Sequence, residues 1–161
     1  MLDLVVTTLD ELISLQKQLI RYAERKQTVL IERKVDELTE LVKEESKLIK
    51  QLGELEDERQ QLMADVLNEH PGLTFSEFTE QISDEKVKKE LHSQLKTLQM
   101  LLTELQAKNK VNEKILEDSM SFVQHMITQV TKSKQQHFNY QSPVGQQKAQ
   151  VNNQGFFDTR A

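Results

Sequence analysis

Residues that break helices are nearly confined to two places in this chain. Both prolines and three of the four glycines fall at Pro71-Gly72 and between Pro143 and Gly155. Elsewhere the sequence is free to run as long helix, since Gly and Pro are the strongest local interruptions. With 161 residues the chain has the size of one domain. Hydrophobic residues make up 37%, charged residues 29% and aromatics 5%, with no Trp, a balance that suits long helices with one apolar stripe flanked by charge.

The apolar spacing divides the chain. Leu2, Val5, Leu9, Leu12 and Leu19 recur every three or four residues, less regularly on to Leu30, and predict a first helix over Leu2 to Glu32. The pattern restarts in a new phase at Leu38, Leu41, Leu48, Leu52, Leu55, Leu62 and Val66, with Glu45 and Arg59 at the skipped positions. This predicts a second helix from Val35 to Glu69. Arg33-Lys34 contains no Gly or Pro, so the phase change argues for a break there and one continuous helix stays open. Thr74-Phe75-Ser76-Glu77 fits a capping box and predicts a short helix reaching Ile82. Ser83 and Asp84 can cap the longest helix, Asp84 to Thr131. Its stripe reads Leu91, Leu95, Leu98, Leu102, Leu105, Asn109, Asn112, Leu116, Val123, Ile127 and Val130. Of the twenty residues from Gln135 to Gln154, ten are Gln or Asn, too polar to offset their ordering entropy by burial. The expected architecture is all-α: an antiparallel three-helix bundle or coiled coil with a short connecting helix over residues 1–131, and a flexible Gln/Asn-rich tail over 132–161.

A formal charge of −5 disfavours binding to nucleic acid or anionic membrane, both of which need concentrated Lys and Arg. Protein partners are expected instead. With no Cys, neither a disulfide framework nor a thiolate metal site is available. Met1-Leu2-Asp3 lacks the basic start of a secretory signal, and no apolar run approaches the roughly 18 to 20 residues of a membrane span, so a cytoplasmic protein without membrane insertion is expected. His70, His92, His125 and His137 have no zinc-ligand spacing, and no phosphate-binding or nucleophile-elbow motif occurs, so no cofactor, metal or catalytic residue is expected. Glu-rich stretches such as Glu54 to Glu58 read as solvated helix faces with i,i+4 pairs.

Helix lengths point to a binding surface. A second helix of about 35 residues can cover only the first 35 or so of the third, so residues after Asp118 should overhang. That stretch carries Met120, Phe122, Val123, Met126, Ile127 and Val130. Met-rich amphipathic surface suits helix-in-groove recognition because the thioether adapts to different apolar targets. Cover by the first helix or self-association is the alternative. Asn109 and Asn112 fall at successive core-type positions, where they either set register or recognise a partner.

Asn109-x-x-Asn112-x-x-Ile115-Leu116-Glu117 resembles a signature in the last helix of FlgN-type flagellar export chaperones. Glu44-x-Ser46-x-Leu48-Ile49, continuing through Leu52, Leu55, Glu56 and Arg59, is similar to their second helix, and Tyr140 with Gly145 to their tail motif. The resemblance implies a chaperone that binds the C-terminal helical segments of the hook-filament junction proteins FlgK and FlgL. It would keep them from premature assembly and deliver them to the type III export gate. Asn109, Asn112, Ile115 and Leu116 would then lie in the substrate-binding region, and Tyr140 would contact the gate protein FlhA. The competing expectation is a homo-oligomeric coiled-coil adaptor or structural protein, for which the apolar stripes alone would suffice.

Overall fold

A computed structural model of the chain describes residues 1–137, with side chains through residue 132. It contains α1 (Leu2–Glu32), α2 (Val35–Glu69), α3 (Phe75–Glu80) and α4 (Glu85–His137), with no strand among the described residues. The first two helices have the bounds the apolar spacing predicts. The short helix closes at Glu80 rather than Ile82, and α4 continues past the expected end at Thr131 to His137.

Residues Met1–Glu117 form one compact unit, and a second begins at Asp118. Within the first, α1 is the shared helix. Its buried residues include the adjacent pairs Thr8-Leu9, Leu15-Gln16, Leu19-Ile20 and Val29-Leu30. Such pairs widen the stripe beyond a simple heptad seam and let α1 face two neighbours at once. In α2, by contrast, only Leu41 and Val66 are buried. Glu45, at a skipped position of the α2 stripe, meets Lys26 Nζ of α1 at 2.6 Å, both side chains largely buried. Arg59, at the other skipped position, donates from Nε to Glu56 Oε2 at 2.8 Å within its own helix.

The core has two clusters. Val5, Leu9 and Leu12 of α1 meet Val66 of α2, Phe78 of α3 and Leu91 of α4 in one, and Leu19, Ile20 and Ala23 meet Leu105 of α4 in the other. The short α3 thus closes one end of the bundle. Its capping box forms as the sequence predicts: the Thr74 hydroxyl accepts from Glu77 N–H at 3.3 Å, and Glu77 Oε2 accepts from Thr74 N–H at 2.8 Å. That backbone donor, followed by the Thr74 hydroxyl, holds the Glu77 carboxyl below its ordinary pKa. Asp84 Oδ1 caps α4 by accepting from Lys86 N–H at 2.9 Å.

The break between α1 and α2 has a backbone cause. Arg33 takes the left-handed conformation, with φ 58° and ψ 35°. Its N–H donates to Leu30 O at 3.3 Å, and Lys34 N–H donates to Val29 O at 3.1 Å. This is the Schellman arrangement, which satisfies two carbonyls at the helix end, with Arg where Gly is usual. Arg33→Gly should relieve the cost of a left-handed L-residue and raise the unfolding free energy by up to about 1 kcal/mol. Urea unfolding measures it. A less stable variant would mean that the Arg33 side chain contributes more than its backbone conformation costs.

Candidate functional site

In the first unit α4 is held to α1 by two side-chain amides. Gln94 Nε2 donates to Val6 O at 3.0 Å and to Asp10 Oδ1 at 2.7 Å, and Asn112 Nδ2 donates to Ala23 O at 2.8 Å. The backbone-bonded pairs are separated by 88 and 89 residues, so α4 advances in the same direction as α1. The helix between them, α2, runs the other way, since Glu44 meets Tyr22 near the end of α1 while Val66 meets the start.

These contacts correct the expected face of α4. Asn112 is a core residue, only 4% exposed, but Asn109 is exposed and is not a core position. Leu102 and Leu116, placed on the core stripe by spacing, are likewise exposed, while Leu101 packs against the second core cluster and Ile115 is half-buried. Leu101-Leu102 and Ile115-Leu116 are adjacent apolar pairs, so spacing alone fits either member to the stripe. The choice falls to polar residues seven positions, or about two turns, before each pair. Gln94 and Lys108 both turn to α1, Lys108 Nζ lying 3.2 Å from Glu24 Oε1, and they take Leu101 and Ile115 inward with them. Sequence reasoning missed Gln94, an amide between Leu91 and Leu95 and seven residues before Leu101.

The second unit, described through Lys132, presents α4 as an exposed amphipathic surface. Met120, Phe122, Val123, Met126, Ile127 and Val130 are each between 38% and 55% exposed. Met120, Val123, Ile127 and Val130 follow 3/4 spacing and share one face. Between Asp118 and Lys132 no residue is Asp, Glu, Lys or Arg. The Thr128 and Thr131 hydroxyls donate back to the Gln124 and Ile127 carbonyls at 2.9 and 2.8 Å, which occupies their polar groups within the helix. Such a surface can bury apolar area against another helix without desolvating a charge.

Other features of the described residues are electrostatic. His92 Nε2 lies 3.2 Å from Glu80 Oε1, and the Glu80 carboxyl is held below its ordinary pKa chiefly by its contact with Lys88. Tyr22 donates to Glu44 Oε2 at 2.8 Å, and this hydrogen bond holds its proton more tightly than usual. Among the described residues no three His, Cys, Asp or Glu are grouped to hold a metal, and no helix is long and apolar enough to cross a membrane. Tyr140 lies outside the described residues.

The chain matches a family model described as FlgN protein over residues 1–148. No curated protein and no solved structure matches it.

The opposite placements of the two asparagines are directly testable. Asn112→Asp would put an unpaired carboxylate against the Ala23 carbonyl in the core and should cost about 3 kcal/mol or more at neutral pH. Burial raises the folded-state pKa of that carboxyl, so the loss should be full above the raised pKa and recede as pH falls through it. Asn109→Asp should change stability by less than about 0.5 kcal/mol. Denaturant melts of both variants at two pH values check the pair, and equal destabilisation would refute the placement.

Proposed function

The chain belongs to the FlgN family, which implies a flagellar export chaperone, and on that premise we propose that it binds the C-terminal helical segments of the junction proteins FlgK and FlgL. One observation carries the reading: a charge-free, Met-containing apolar helix face over Met120 to Val130 in the second unit. A filament-forming protein whose terminal helices pair with each other on assembly must have those helices' apolar stripes covered beforehand. An exposed helix with 3/4 apolar spacing covers such a stripe by the same packing that would later occur in the filament. Asn109, Ile115 and Leu116 of the first unit are proposed to contact the client as well, with Asn112 setting the register that holds them in place.

Delivery to the export gate is proposed to use a separate contact. Tyr140 follows α4 in a polar stretch where a single amphipathic ring can supply both apolar burial and a hydroxyl hydrogen bond. Its proposed partner is the cytoplasmic domain of FlhA, with client capture left to α4. The proposed location is the cytoplasm, where the clients await export.

Met126→Asp should lower affinity for a FlgK or FlgL C-terminal fragment by about tenfold or more, while helicity and melting stay near wild type. Calorimetric titration with circular dichroism measures both. Unfolding of the variant would make this face structural and remove the client site. Tyr140→Ala should leave fragment binding intact and weaken binding to the FlhA cytoplasmic domain. Equal gate affinity for wild type and variant would eliminate the gate role, and loss of client binding would move Tyr140 to the client surface.

A further inference from the structure

Aromatic side chains are unevenly spread along this sequence. It holds six Phe and two Tyr, and four of those eight, Phe138, Tyr140, Phe156 and Phe157, fall in the 24 residues from 138 to 161. A polar segment without a core of its own has no internal use for large rings, because it cannot bury them against itself. Any burial of theirs comes from another surface. From Ala149 to Phe157 the segment also contains no Asp, Glu, Lys or Arg. Like the α4 face of the second unit, this stretch can be buried without desolvating a charge.

Reach selects which of the four rings can meet that face. Along α4, His137 lies ten residues beyond Ile127 and fourteen beyond Val123, about 15 and 21 Å at the helical rise. Phe138 and Tyr140 stand one and three residues past His137, at most about 10 Å away when fully extended, and fall short. Phe156 follows after eighteen residues, Phe138 to Gly155, which as a polar coil have a root-mean-square reach of about 23 Å. That matches the span to Val123. Pro143 and Gly145 within the stretch supply turn residues for the reversal. The chemistry matches as well: Met120 and Met126 are 38% and 51% exposed, and a thioether sulfur makes favourable contacts with the edges of aromatic rings.

We propose that Phe156 and Phe157 fold back onto the Met120, Val123 and Ile127 face of α4 and cover it until a client helix displaces them. The inference rests on the reading of that face as the client site. A linker whose reach matches the span gives the segment an effective concentration on the order of 1 mM, well above that of a second copy in a micromolar solution. This disfavours a second copy as the occupant. Two rings bind with modest affinity, so the cover stays displaceable while it keeps an apolar surface from non-specific association. Apparent client affinity is then scaled by the fraction of molecules whose face is open.

The test uses the full chain, which has no native Cys, so that a single nitroxide label can be placed at Asn153→Cys. Without any client, the label should broaden the isotope-marked methyl signals of Met120 and Met126 and spare those of Met63 and Met100 in the first unit. Phe156→Ala with Phe157→Ala in the labelled chain should restore both signals, and addition of the FlgK or FlgL C-terminal fragment should do the same. In the unlabelled chain this pair of changes should tighten fragment binding about threefold in calorimetry, with circular dichroism unchanged. Sharp Met120 and Met126 signals in the labelled chain overturn the cover, as does broadening that survives the loss of both rings. Unchanged fragment affinity in the double variant overturns the competition. Broadening of an unlabelled, isotope-marked chain by a labelled one would place the segment on a second copy and overturn the intrachain assignment. The label experiment needs no fragment, so the two readings fail separately. Undiminished fragment binding in Met126→Asp removes the client face and with it the competition, while the methyl signals still decide the cover.

Discussion

Helix α1 buries side chains around more than one side, and the rest of the first unit depends on that width. A single heptad seam serves one neighbour. The adjacent buried pairs from Thr8-Leu9 to Val29-Leu30 serve two, so that α2 and α4 each bury one flank against the same helix. The arrangement explains why α2 has so little fully buried surface of its own: it meets the bundle mainly along one line, and its other faces remain available.

Polar groups within the core then determine how α4 sits on that frame. Apolar contacts are non-directional and would tolerate a slide or rotation of one helix on another. Amide donors to single carbonyls do not, because a buried donor left without an acceptor is costly. Gln94 at one end and Asn112 at the other tie α4 to the Val6 and Ala23 carbonyls of α1. Together they set both register and rotation. The rotation in turn exposes Asn109 and Leu116 and buries Asn112, which separates two residues that the family signature places side by side.

The proposed capture of helical clients needs a stable frame and apolar helix surface that the frame does not consume. Both are present here in separate parts of the chain. Length gives the first source of surplus: α4 has 53 residues against 31 in α1, and its exposed apolar residues Met120 to Val130 belong to the second unit. The second source is α2 itself, on which Val35, Val42 and Ile49 stay exposed. Neither requires a cavity or a reactive group. Both are what remains of an amphipathic pattern when its neighbour is shorter or turned away.

Much of the fold was legible in the sequence. The bounds of α1 and α2, the break at Arg33-Lys34, the capping box at Thr74 and the exposed residues from Met120 to Val130 follow from local signals: apolar period, phase shift, cap chemistry and helix length. Those signals depend on neighbours within a turn or two, which is why they survive without a structure. The face of α4 was not legible, because Leu101-Leu102 and Ile115-Leu116 satisfy the period in either of two rotations. Only the tertiary contacts of Gln94, Lys108 and Asn112 with α1 chose between them, since residues some 88 positions away supply the acceptors that make one rotation cheaper than the other.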